Sequence, residues 1–227
     1  APREPYQLPW EPYPVAPQKY FPIAPMPARY LSTAMGTLSR GPTHPMPWPR
    51  TNLLFGVDGG AAKSVAAGFE VTEVLGDLDS IEPADWHGRL TLLSDDSSSD
   101  LAKSLGLLHE RGFTEIDVVG IDGGSPDHIL GTWAALTEAP AGLSIQLHHS
   151  TGITKRLHPH DSALEFLIPA GDEFSIFALE LCESVTISGA RWNLESQPMK
   201  FSTQGLHNQS IGENITVSTD GILAVIF

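Results

Sequence analysis

From position 53 onward, short apolar runs alternate with longer amphipathic ones. Residues 53–57 (Leu-Leu-Phe-Gly-Val) form a strand-length apolar run, and Asp58-Gly59-Gly60 reads as a turn. Residues 61–67 are good helix formers stopped by Gly68. The β-branched, apolar residues 71–75 read as a buried strand closed by Gly76. Residues 89–93 give a further strand, followed by a polar loop over 94–99. A helix is predicted over 100–111, with Leu101, Leu105 and Leu108 on one face, Ser99 as N-cap and Gly112 as its stop. Strands over 116–121 and 143–147 flank a helix over 127–136. This alternation predicts an α/β domain over 51–154: a Rossmann-like, mostly parallel sheet with helices on both faces.

Past Thr154 the pattern changes. Residues 163–168, 174–178, 185–187, 215–218 and 222–227 read as short strands, and no long helix is evident. The expectation is a small all-β sandwich or barrel domain over 155–227. The opening stretch differs from both. Residues 1–50 hold 13 of the 19 prolines, with five Lys/Arg against two Asp/Glu. Such density opposes long helices and central strands. It predicts an extended, proline-rich N-terminal arm without a fold of its own, whose Trp10, Tyr13, Tyr20, Phe21 and Trp48 leave room for packing on the body or a partner.

The chemistry concentrates where predicted strands end. Gly76-Asp77-Leu78-Asp79-Ser80 places two carboxylates at i and i+2, which in an extended segment face one small space. Like charges that close call for a cation between them. Mg²⁺ is the natural occupant, with phosphate oxygens as its other ligands. Asp58, the 95–100 loop and Asp127 also follow predicted strands. Ligands of such sheets bind beyond the strands' carboxyl ends, so the convergence points to an acidic nucleotide–Mg²⁺ site. Asp100 is read near the metal, and Lys103, one turn later, near a phosphate.

Composition narrows the classes. The net charge of -14 argues against nonspecific binding to nucleic acid or anionic membrane. One cysteine, Cys182, excludes an intrachain disulfide framework; with no signal-peptide h-region and no membrane-length apolar run, a cytoplasmic location is expected. Ala62-Lys63-Ser64 lacks the glycine that a Walker loop needs before its lysine. The histidines at 148, 149, 158 and 160 match no zinc spacing and read as a polar junction between domains. The sequons at Asn208 and Asn214 read as chance matches.

Taken in order, the motifs resemble the thiamine pyrophosphokinase family. The matching residues are Asp58-Gly59-Gly60-Ala61, Gly76-Asp77-Leu78-Asp79-Ser80, Asp95 through Asp100 to Lys103, and Gly123-Gly124 to Asp127-His128. In the second half they are Arg191-Trp192-Asn193-Leu194 and Leu206-His207-Asn208. The resemblance implies an enzyme that moves a pyrophosphoryl group from ATP to thiamine with Mg²⁺, releasing AMP. It implies Asp77, Asp79 and Asp100 as metal ligands, with Lys103 beside them as the fourth catalytic residue. It implies a nucleotide site of Asp58, Gly59, Gly60, Asp95, Ser99, Asp127 and His128, and a thiamine side of Trp192, His207 and Asn208. It further implies a homodimer with thiamine held between subunits. The sequence departs from the family pattern at Ser97 (for Asp), Ser125 (for Arg) and His207 (for Ser), and the family's opening strand is not recognisable in the arm. Two alternatives stay open at this point: a pyrophosphokinase acting on another hydroxymethyl substrate such as a pterin, and a non-catalytic thiamine- or nucleotide-binding member.

Overall fold

A strand covered on both faces must be apolar at successive positions, and the chain meets this demand early. The computed structural model describes residues 30–32, 53–79, 81–86 and 89–227. Its first half contains β1 (Tyr30–Ser32), β2 (Leu54–Val57), α1 (Gly60–Ala66), β3 (Glu73–Gly76) and β4 (Leu90–Leu92). Then come α2 (Asp100–Glu110), β5 (Glu115–Val119), α3 (Pro126–Glu138) and β6 (Ser144–His148). The second half is all strand: β7 (Ile153–Leu157), β8 (Leu164–Phe166), β9 (Glu173–Ala178) and β10 (Cys182–Ser188), followed by β11 (Leu194–Met199), β12 (Asn208–Gln209), β13 (Ile215–Thr219) and β14 (Leu223–Ile226).

The strands of the first half pair in the order β6-β5-β1-β2-β3-β4, all parallel. Alternate residues of each strand feed opposite cores. Phe55, Val57, Leu75, Ile116 and Val118 pack with α2 and α3 through Leu101, Leu105, Leu108, Ala135 and Leu136. Leu54, Val74 and Val119 pack on the other face with Ala61 of α1 and with Trp86. This half is therefore a parallel sheet with helices on both faces.

The parallel order does not extend to the whole sheet, which is mixed. β7 pairs antiparallel with β6, and β14, β9 and β12 follow antiparallel in turn, giving one ten-stranded sheet. The boundary expected near 154 thus falls inside β7. A second sheet, β11-β10-β13-β8, packs over this extension. Leu157, Phe174, Ile176, Val185, Ile187, Ile215, Val217 and Leu223 form the core between the two. The physical reason is edge coverage: β6 would otherwise present an unpaired row of backbone groups.

The arm needs a second correction. Tyr30–Ser32 lies between β2 and β5, parallel to both, with Leu31 in register with Phe55 and Val118. The proline count averages over a proline-free window, residues 28–41, from which this strand comes. The rest of the arm, with its five aromatic residues, lies outside the described residues.

Arg156, on β7, ties the two halves together from inside. Only 5 % exposed, it donates to the carbonyls of Leu136 (3.2 Å), Ala139 (2.7 Å), Pro140 (2.7 Å) and Leu143 (2.6 Å). These include carbonyls that the C-terminal end of α3 leaves without partners. Burial pulls the guanidinium's pKa below its usual value, but an arginine keeps its charge in a protein.

Replacing Arg156 with Met strands several buried carbonyls and is expected to lower stability by about 3 kcal/mol, read as a shifted urea midpoint with an unchanged slope. Deleting residues 1–32 removes β1 from between two parallel neighbours and is expected to abolish the cooperative thermal transition, whereas an appended arm would come off with little change in Tm.

Candidate active site

The parallel strands β2 and β3 end side by side, and each hands the chain to an aspartate. Asp58 follows β2 in a left-handed conformation, φ 45°, with its N–H donating to the Leu75 carbonyl at 2.9 Å. Two glycines make room for it. A Cβ at Gly56 would lie 2.4 Å from the Ala61 Cβ, so glycine lets α1 settle on the strand. Gly76, at φ 149°, would bring a Cβ to 3.3 Å from that of Asp58. Beyond β3 the chain does not run on extended as the i, i+2 spacing suggested. Leu78 turns it at φ 65°, and the Asp79 N–H donates to Asp77 Oδ1 at 3.2 Å. Ser80 lies outside the described residues.

The result is a tight group: one carboxylate oxygen each from Asp58, Asp77 and Asp79, all within 4.8 Å of one another. Asp58 Oδ1 is buried and makes no hydrogen bond. An unpartnered buried carboxylate oxygen facing two more carboxylates is unfavourable unless a cation joins them. Hard oxygen donors of this kind suit a small divalent ion, so the residues present fit a metal.

Asp100 stands apart from this group. In the first turn of α2 its Oδ1 lies 2.7 Å from Lys103 Nζ, an ion pair whose angle falls short of a hydrogen bond. Lys103 Nζ donates instead to the Leu93 carbonyl at 3.0 Å, which anchors the lysine to the end of β4. The loop between them is pinned by Asp95, which accepts the Ser97 N–H at 2.9 Å and the Ser97 hydroxyl at 2.8 Å. These bonds, the backbone one first, hold the Asp95 carboxyl below the usual range. Ser99 caps α2 by accepting the Ala102 N–H at 3.3 Å.

After β5, Gly123 and Gly124 take consecutive left-handed conformations, φ 87° and 84°, which L side chains disfavour. They lead into α3, where Ser125 is N-cap, Pro126 opens the first turn, and Asp127 and His128 are exposed. The Ser125 hydroxyl, first among the causes, keeps the Asp127 carboxyl below its ordinary pKa.

Two residues of this region carry no signal in the local sequence pattern. Asp122 accepts the Ser150 N–H and pairs with His149 Nδ1 at 3.1 Å, while His149 Nε2 meets Thr154 Oγ1 at 2.9 Å. Burial pushes the Asp122 carboxyl up, but the hydrogen bonds from Ser150 and His149 outweigh it and leave the pKa lowered. With Ile121, Ile129 and Trp133 they line a cleft of about 170 Å³. The doublet Asp122-Gly123 stands out after a predicted strand, but nothing local marks His149 as its partner 27 positions away. The other histidines do not converge: His148 pairs with Asp117 at 2.5 Å, and His158 lies against His160.

The second half presents Trp192, 53 % exposed, with the Arg191 guanidinium 4.7 Å from its ring centroid. Asn208 is buried beneath it, and its amide bonds the Trp192 backbone. That burial also fits poorly with a glycosylated sequon. His207, at φ 56°, donates its N–H to Ser175 Oγ at 3.1 Å and pairs through Nδ1 with Glu173 at 2.8 Å.

Comparison with known proteins agrees with this architecture. The catalytic domain of thiamin pyrophosphokinase matches residues 45–147, and the vitamin B1 binding domain of the same enzyme matches 164–223. The fold resembles the solved thiamine pyrophosphokinase of Bacillus subtilis, with TM-score 0.70 and 23% identity over 88% of this chain and 97% of that one. The Geobacillus thermodenitrificans protein gives 0.66 and 20% over 88% and 96%. The Candida albicans protein gives 0.67 and 13% over 90% and 94%. At such identities these structures speak for the fold alone. No individual curated protein matches the chain. The two domain matches lie in family order and between them span most of the sequence, both carboxylate-bearing strand ends and the Trp192 loop included: the chain belongs to the thiamin pyrophosphokinase family.

Proposed function

We propose that the chain transfers the pyrophosphoryl group of ATP to the hydroxyl of thiamine, giving thiamine diphosphate and AMP. Family membership makes it an enzyme, a transferase of thiamine metabolism. The observation that carries the finer reading is the Asp58–Asp77–Asp79 group with its unpartnered buried oxygen. These residues would hold Mg²⁺, which when bound neutralises triphosphate charge. Asp100, which the resemblance assigns to the metal, instead orients Lys103.

In this reading the thiamine hydroxyl oxygen attacks the β-phosphorus in line. The bond to the α-phosphate's bridging oxygen breaks, and AMP leaves. The chain's part is to place reactants and balance charge. Lys103, fixed by Leu93 and Asp100, brings a cation to the phosphates. Gly59 and Gly60 let backbone approach the nucleotide, while Asp95, Ser99, Asp127 and His128 border the same crevice. That crevice lies where the strand order reverses between β1 and β5, the usual ligand position in such sheets. Trp192, with His207 and Asn208 nearby, forms the thiamine side, where an indole face suits a cationic ring.

We further propose a homodimer through the second half, which exposes Leu181, Trp192 and Phe201. Among the described residues no helix is long and apolar enough to cross a membrane. The free, buried Cys182 fits a reducing compartment, and the cytoplasm is the proposed location.

Product analysis with thiamine, ATP and Mg²⁺ tests the reading: AMP and thiamine diphosphate should form in equal amounts, and ADP in place of AMP would overturn it. Asp58→Asn, Asp77→Asn and Asp79→Asn should each lower turnover by at least about 10²-fold at saturating Mg²⁺ with the fold retained. Chelation should abolish turnover, with Mg²⁺ restoring it. At the departure from the family pattern, Ser125→Arg adds a charged donor pair and is expected to raise kcat/KM for ATP about tenfold. Steady-state kinetics at low salt check this; no gain would show that position 125 faces away from the phosphates.

A further inference from the structure

The loop between β10 and β11 presents an indole that is half exposed, yet its backbone is gripped from below by a side chain 16 positions away. Asn208, 7 % exposed, accepts the Trp192 N–H on Oδ1 at 3.2 Å and donates from Nδ2 to the Trp192 carbonyl at 2.8 Å. The same Oδ1 accepts the Gln209 N–H at 2.8 Å. Both polar atoms of the amide are therefore engaged inside the protein.

The surrounding bonds fix the same loop. The Arg191 N–H donates to the Gln209 carbonyl at 2.8 Å, the Ala190 N–H donates to Asn193 Oδ1 at 3.1 Å, and Ala190 bridges Ser210. The Arg191 guanidinium stands over the indole while its Nη1 donates to Gln209 Oε1 at 2.9 Å. One indole face is thus backed by a tethered cation, and the other is left for a ligand. An aromatic ring on a free surface loop must be ordered whenever it binds; a loop already clamped avoids that cost.

We propose that Asn208 is a positioning residue: it acts on thiamine through Trp192, by locking the platform, and does not itself contact the substrate. The inference rests on the reading of Trp192 as a thiamine-side residue. It also gives Asn208 a different task from the direct contact that the family resemblance suggested.

A double-mutant cycle on the full chain tests it, with steady-state kinetics and calorimetric titration of thiamine. Asn208→Ala should raise the KM for thiamine about tenfold, with kcat and the KM for ATP within about twofold and Tm shifted by only a few degrees. Trp192→Ala should raise the KM for thiamine by about tenfold or more. In the Trp192→Ala background, Asn208→Ala should add less than about twofold. Asn208→Asp keeps both acceptor contacts and should stay within about threefold of the starting enzyme, a loss that vanishes in the same background. If Asn208→Ala does not fold, Asn208→Asp carries the cycle alone. Equal effects of the Asn208 change with and without Trp192 would overturn the inference while leaving the thiamine reading intact. A Trp192→Ala enzyme with unchanged thiamine affinity would overturn the thiamine reading, and the inference with it.

Discussion

Three carboxylates within 4.8 Å of one another repel, and the first half of the chain is built to hold them there anyway. The means are backbone conformations that most residues avoid. Asp58 and Leu78 both take positive φ, at 45° and 65°. For a residue such as Leu this costs on the order of 1–2 kcal/mol. The offset is local: Leu78 packs against the cluster of Val74, Trp86 and Ala61. Gly56 and Gly76 complete the arrangement by letting α1 and Asp58 approach the strands more closely than any side chain would allow. Strain of this kind persists only where the surroundings over-determine it. Here those surroundings are two strands, paired on both edges and covered on both faces.

The rigidity of the site therefore depends on a sheet much larger than the site. β1 closes the gap between β2 and β5, and through β5 and β6 the ladder passes into the antiparallel strands of the second half. Arg156 adds a polar tie across the same junction by filling the carbonyls beyond α3. The two halves, which match two separate family domains, are joined by continuous hydrogen bonding. A thiamine-side residue such as Trp192 thus belongs to the same framework as the carboxylates, though the two sets make their contacts separately.

The secondary structure was legible wherever its signal is local. Leu101, Leu105 and Leu108 mark one face of α2, and all three are buried. Ser99 and Gly112 mark its ends, where the cap bond and a positive φ of 86° are found. Asp77 and Asp79 stand out as a pair in the sequence, though they meet through a turn at Leu78 and not through an extended strand. β1 was hidden because three residues of strand in a stretch otherwise rich in proline leave no periodicity to read. β7 was hidden by a change of composition that fell inside it.

What the sequence determined by itself is the order of elements, the carboxylate-bearing strand ends and the family motifs, because each is a property of residues adjacent in the chain. What the tertiary structure alone decided is partnership. Asp58, not Asp100, completes the tight carboxylate group, because Lys103 takes Asp100 one helical turn away. His149 turns to Asp122, and Asn208 turns to the backbone of Trp192 rather than outward. A short polar side chain has several chemically equivalent partners within the same sequence. Which one it meets depends on strand order and helix placement, set by the burial of apolar faces across the whole chain.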